Sequence, residues 1–170
     1  MEGCVDEVLP TTNSLVSITV EKRDLFSVPV YYYLAHAIPS SLRLRGGNIS
    51  RAIDSFYNMS QCIEDIEEEW MHHEGAVFNV GNVFNLVMGK RDDNGVYHKP
   101  TEETVFTAFK NLALDCFENH IKYLAMPKIA CGHNGMDWED VKKLLVEAFD
   151  YVYDNVAGIP DSISIIVCAP

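Results

Sequence analysis

Stretches rich in β-branched and aromatic residues alternate along this chain with stretches whose apolar residues recur at helical spacing, and this alternation limits its fold most narrowly. Strand-like segments are "LVSITV" at 15–20, "VYYYLAHAI" at 30–38, "YLAMPKIA" at 123–130 and "SISIIVC" at 162–168. "GAVFNVGNVFNLVMGK" reads as two short strands joined near Gly81. Between them, Ile53, Phe56, Ile63, Ile66 and Trp70 fall near one helical face, so the spacing predicts a long amphipathic helix from Ile49 onward. A second helix starts at Pro100 and Thr101, with Val105, Phe109, Leu112 and Cys116 on its apolar stripe. A third carries Trp138, Val141, Leu145 and Phe149 behind Asp137, an N-cap residue that Asp140 can complete into a capping box. "RDDNGVYHK" reads as a polar loop. Strands that feed helices in this way bury both faces of a sheet, so the expected architecture is α/β, three layers (α/β/α) with a mixed central sheet.

The 170 residues are enough for one such core, and no second is expected. Residues 1–13 are polar and turn-rich and are expected to form a tail or a loose edge. The chain has 13 Lys and Arg against 25 Asp and Glu, a formal charge of -12. Its field repels nucleic acid and anionic membrane, which leaves RNA only a terminal-phosphate contact. Local backbone N–H groups can nevertheless hold a small anion. Cys4, Cys62, Cys116, Cys131 and Cys168 form no close pairs of the zinc type, so reduced thiols and no metal are expected. The absence of a leader-like or membrane-length apolar run leads to the expectation of an intracellular protein, cytoplasmic or nuclear.

Two loops are suited to phosphate. "LRLRGGNIS" brings Gly46 and Gly47 to a helix start, where glycine permits close ligand approach and the first helical N–H groups lack intrahelical partners. "KIACGHNGMDW" repeats the arrangement, with Gly132 and Gly135 between a strand and a helix. Ligands of open α/β sheets lie beyond the carboxyl ends of the strands, so both loops can grip one diphosphate. Neither loop has the lysine of a Walker motif or the three-glycine dinucleotide pattern.

Together with "KRDLF", "LAHAI" and "HKPT", the segment "LAMPKIACGHNGMDWEDV" resembles the macro-domain family over residues 18–167, most closely the branch containing terminal ADP-ribose glycohydrolases and related ADP-ribose 1''-phosphate phosphatases. The resemblance implies binding of ADP-ribose or a derivative, free or on an ADP-ribosylated protein, with no cofactor. On this basis Asp24, with Leu25 beside it, accepts a hydrogen bond from the adenine amino group. Gly46, Gly47, Asn48 and Ile49 form the first phosphate loop, where the branch usually reads Gly-Ala-Gly-Ile. Cys131, Gly132, His133, Asn134 and Gly135 form the second.

Two departures bear on catalysis. The lysine that attacks the distal ribose in the glycohydrolases matches Gly89 without a gap, which leaves Lys90 one residue late; only a bulge or one-residue shift could turn it inward. The aspartate of the second loop matches Asn134, which is no carboxylate base in any register. Asn48, in place of a glycine, is expected to tolerate a left-handed loop and to add an amide near the distal ribose. His36 in the central strand and His133 in the second loop are the candidate acid–base groups, beside the structural reading of a satisfied core histidine. Cys131 reads as pocket wall, His72 and His73 as a solvated turn, and Asp92 and Asp93 as surface loop. The leading expectation is binding with hydrolysis of a group on the distal ribose; the rival is a reader or sequestering module without turnover.

Overall fold

The computed structural model describes residues 4–44, 47–132 and 135–170, excluding the Arg91 side chain. Their framework is a seven-stranded sheet in the order β1-β2-β9-β8-β3-β5-β4. β2 (Val16–Lys22), β9 (Ile163–Ala169), β8 (Tyr123–Pro127), β3 (Tyr33–Ile38) and β5 (Val83–Val87) run parallel, while β1 (Cys4–Val8) and β4 (Val77–Val80) pair antiparallel at the two edges. The sheet is thus mixed, its antiparallel pairs confined to the edges, and the apolar run of β5 suits a strand covered on both faces. β4 and β5 are the two short strands expected around Gly81.

α3 (Glu102–Glu118) and α4 (Trp138–Asn155) cover one face, and α1 (Asn48–Tyr57) with α2 (Met59–Ile66) covers the other. The α3 stripe forms as the spacing predicts: Val105, Phe109, Leu112 and Cys116 are buried, each large apolar side chain contributing roughly 1.5–3 kcal/mol. Thr101 caps α3 by accepting a hydrogen bond from the Thr104 N–H at 3.1 Å. Asp137 caps α4 by accepting from the Glu139 N–H at 2.9 Å, and Asp140 returns no side-chain bond to the cap.

The single long helix expected from Ile49 is instead broken. Asn58 takes a left-handed conformation, φ 51°, and Asp54 accepts a hydrogen bond from the Ser60 N–H at 2.7 Å to restart the chain as α2. The break rotates the apolar phase, so Ile53, Met59 and Ile63 reach the core while Phe56 and Ile66 stay exposed. Trp70 lies beyond α2 in a 3-10 turn, Glu69–His72.

Two further segments are more ordered than composition implies. Within residues 1–13, Cys4–Val8 form the sheet edge, Lys142 reaches Glu7 at 2.9 Å, and the Thr12 and Asn13 N–H groups donate to the Asp150 carboxylate at 2.8 and 3.0 Å. The "RDDNGVYHK" loop is a hairpin pairing β6 (Lys90–Arg91) with β7 (Tyr97–His98). Asp92 fixes it, accepting hydrogen bonds from the Asn94 and Val96 N–H groups at 2.9 Å each and meeting His98 Nε2 at 2.8 Å.

Candidate functional site

A cleft of about 500 Å³ opens over the carboxyl ends of β3, β5 and β8, within the size range of small-ligand pockets. Its floor is the end of β3, its first wall the start of α1, its second the segment after β8, and its third Met88 and Tyr97. None of the described residues lining it is acidic, while Arg43 and Lys128 are basic. In a chain of net charge -12, this cleft locally opposes the global field and suits an anion.

The first wall is built on Gly47, the N-cap residue of α1, which makes no side-chain cap bond. The opening N–H groups of the helix therefore retain their donor capacity for a ligand. Open space surrounds the position a Gly47 β-carbon would take. Its φ of -68° is ordinary, and Asn48 is already helical, so the expected left-handed conformation at 48 gives way to a helix N-terminus. Gly47, Asn48 and Ile49 all line the cleft; Gly46 lies outside the described residues.

The second wall turns sharply. Ala130 has φ 66°, unusual for a residue with a β-carbon, and the Met136 N–H donates back to the Ala130 carbonyl at 2.9 Å. Gly132 lines the cleft with open space above its Cα, and Gly135, φ 69°, closes the turn without lining it. Cys131 is half-buried and lies outside the lining; burial pushes its thiol up to about 11, so it stays protonated at neutral pH and is no activated nucleophile. Lys128 Nζ stands 5.4 Å from the Trp138 ring centre, a cation–π contact that leans the lysine against α4. His133 and Asn134 lie outside the described residues.

His36 lines the floor but is almost fully buried. Its Nε2 is 2.6 Å from Asn85 Oδ1, its partner across β3 and β5. The amide oxygen only accepts, so Nε2 carries the proton and donates, and Nδ1 is left unprotonated and, among the described residues, without a partner. Burial pushes the ring down to about 4, the bond to Asn85 only partly opposing this. Such a group is a weak base at neutral pH.

Lys90 stands apart from the cleft. Gly89 ends the β5 wall at φ 82°, and the following hairpin pairs Lys90 with His98, leaving its side chain exposed and outside the cleft lining. The one-residue shift turns the lysine to solvent rather than inward. Asp24 and Leu25 are not part of the cleft wall either. Asp24 is exposed and caps a 3-10 turn, Leu25–Ser27, by accepting from the Phe26 N–H at 2.8 Å, and Leu25 is buried beside a second, apolar cavity of about 400 Å³.

The structure thus brings together His36, Gly47, Asn48, Ile49 and Gly132. Sequence reasoning missed Arg43, Lys128 and Tyr97. Both cations flank the glycine-containing loops it had singled out, and the Asp-Asn-Gly run before Tyr97 is a hairpin signal that could have lifted that segment out of the loops.

Comparison with known proteins agrees with this geometry. The macro domain family profile matches residues 35–145. Human ADP-ribose glycohydrolase OARD1 is 30% identical over 135 residues, 78% of this chain and 84% of that protein. The macrodomain of Mycobacterium tuberculosis DarG superposes with a TM-score of 0.71 at 21% identity, covering 90% of this chain and 98% of that one. An Oceanobacillus iheyensis macrodomain superposes with a TM-score of 0.72 at 12% identity, covering 99% and 86%. The chain belongs to the macro domain family.

Proposed function

We propose that the cleft binds ADP-ribose or a close derivative, with the diphosphate between the start of α1 and the turn after β8 and the adenine toward Asp24. The observation that carries this reading is the cleft itself: two strand–loop–helix units open onto one cavity whose described lining is basic and carries no carboxylate. The kinship with a protein named ADP-ribose glycohydrolase supports the same ligand class. Calorimetry with ADP-ribose, AMP and ATP tests it; the expected ADP-ribose affinity is micromolar, about -8 kcal/mol. Heat signals absent at millimolar ADP-ribose would remove the reading.

Of the two hydrolyses considered at the distal ribose, removal of a phosphate monoester fits the cleft better than cleavage of a protein ester. Arg43 and Lys128 favour a further phosphate, whereas Lys90 faces solvent. A reader without turnover is the second reading, favoured by the weak basicity of His36. Following inorganic phosphate and free ADP-ribose separately, from ADP-ribose 1''-phosphate and a glutamate-linked substrate, distinguishes the three outcomes.

A further inference from the structure

The 3-10 turn at Glu69–His72 does not line the cleft, yet its last residue is tied to the cleft's edge. His72 Nδ1 is 2.7 Å from the Ser40 carbonyl oxygen, and Nε2 is 2.9 Å from Oε1 of Glu67, the residue that ends α2. The sequence presents His72 and His73 as a solvated turn; the structure engages both ring nitrogens of His72. A carbonyl and a carboxylate only accept hydrogen bonds, so both nitrogens donate, and a ring with two N–H groups is the imidazolium. A neutral ring keeps one N–H and would turn a lone pair toward one of the two oxygens.

What His72 holds is the turn by which the chain leaves β3 for the first wall. Pro39, Ser41 and Arg43 of this turn line the cleft. The Leu42 N–H donates to the Pro39 carbonyl at 2.9 Å, and Leu42 takes φ 63°, a left-handed conformation that a residue with a β-carbon keeps only where its surroundings fix it. Burial of the Leu42 side chain supplies one constraint, and Ser40 supplies the others. Its carbonyl meets His72, and its N–H donates to the Gly89 carbonyl at 3.0 Å. The Gly89 N–H in turn donates to Glu74 Oε1 at 3.0 Å. The segment from Glu67 to Glu74 thereby braces the ends of β3 and β5, and His72 is a link in it whose side-chain type changes charge near neutral pH. The titratable groups placed about this link are Glu67 at the end of α2, Glu68, Glu69 and His73 on its own turn, and Glu74 beside the end of β5; Glu68 is occupied by the Trp70 indole N–H at 3.0 Å.

We infer that His72 is a positioning residue for the cleft: as the imidazolium it straps the turn at 39–43 to the end of α2, and ligand affinity falls when it loses its proton. The coupling to affinity rests on the ADP-ribose reading above, whereas the strap does not. A neutral His72 releases either Glu67 or Ser40, the turn loosens, and Ser41 and Arg43 are no longer held in place before the anion arrives. With 41% and 40% of the two side chains exposed, His72 and Glu67 make a screened pair, so the expected effect is small.

The test compares wild type and H72Q at about pH 6 and about pH 8, the range in which histidine titrates. Calorimetry reads ADP-ribose affinity, two-bond proton–nitrogen spectra read the protonation of the His72 ring, and thermal melts control for folding. ADP-ribose has no group that titrates between these values, so a pH effect belongs to the protein. The expected result is that wild type binds about threefold to fivefold more weakly at the higher pH, as its His72 ring loses a proton, while H72Q binds equally at both and at the weaker level. The same pH slope in H72Q, or a wild-type affinity that stays constant while the ring titrates, would overturn the coupling. A His72 ring that is neutral at both values would overturn the strap. A wild type that binds no ADP-ribose would overturn the ligand reading and the coupling with it, and the ring spectra would then decide the strap by themselves.

Discussion

His36 and Asn85 lie directly opposite each other on β3 and β5, and their side chains form a 2.6 Å hydrogen bond in the interior. Burial, only partly opposed by that bond, makes the folded state prefer a neutral ring, pushed down from 6.5 to about 4, so the unfolded chain binds a proton that the native state refuses. Stability from this group is complete above pH 6.5 and is lost as pH falls toward 4, at most roughly 3 kcal/mol. Melting temperatures across pH 4–8 should show a steeper acid-side fall in wild type than in His36→Leu.

Asp115 works in the opposite direction. Burial, aided by Glu118, pushes its carboxyl up to about 6, so the ionised form destabilises the fold above that pH and protonation relieves it on the way down. Asp115→Asn should stabilise the fold at pH 7.5, read as a higher melting point, by no more than about 1 kcal/mol once solvent screening of this half-exposed group is counted, and the gain should vanish below pH 4. A gain that persists at pH 4 would assign the effect to packing.

Asp24 has two roles that separate by substitution. Its carboxylate caps the turn at Leu25–Ser27 and, on the proposed reading, accepts from adenine. Asp24→Ala should weaken ADP-ribose by about 1–3 kcal/mol and lower stability, whereas Asp24→Asn keeps an oxygen for the cap and should lose mainly affinity. Calorimetry paired with melting curves reads the two effects; unchanged affinity in both variants would move the adenine elsewhere.

On the proposed reading, Arg43 and Lys128 in the cleft lining give binding an electrostatic component. ADP-ribose affinity should fall with added salt, and Lys128→Met should both weaken it by roughly 1 kcal/mol and flatten that salt dependence. Titrations at low and high ionic strength check both, and an unaltered salt slope would place the lysine away from the phosphates.

Lys90→Ala should leave binding and any turnover at wild-type levels, because the side chain is exposed and its backbone is committed to the β6–β7 hairpin. Loss of ester cleavage in this variant, measured as free ADP-ribose released, would require the hairpin to open during catalysis.

The layers of the fold were legible because periodicity reports burial: the stripe of α3 and the apolar run of β5 allow few other placements. The break at Asn58 was not, since an apolar pattern at i+3 and i+4 does not reveal a single left-handed residue. In the cleft, Gly47, Asn48 and Gly132 were legible from the strand–glycine–helix sequence. His36 was correctly located, but its chemistry depends on Asn85, a partner 49 residues away that no local motif announces. Tyr97 was hidden because it reaches the cleft only after the hairpin folds back on the end of β5.

The clamp of Thr12 and Asn13 on Asp150 returns the opening segment to α4 and holds β1 against β2. Without β1, one side of β2 would present a row of unsatisfied backbone donors and acceptors to any passing chain, the geometry from which intermolecular sheets grow. Trimming residues 4–8 should therefore cost solubility before it costs ligand affinity, because the strand acts as a guard rail for the sheet and stands apart from the cleft.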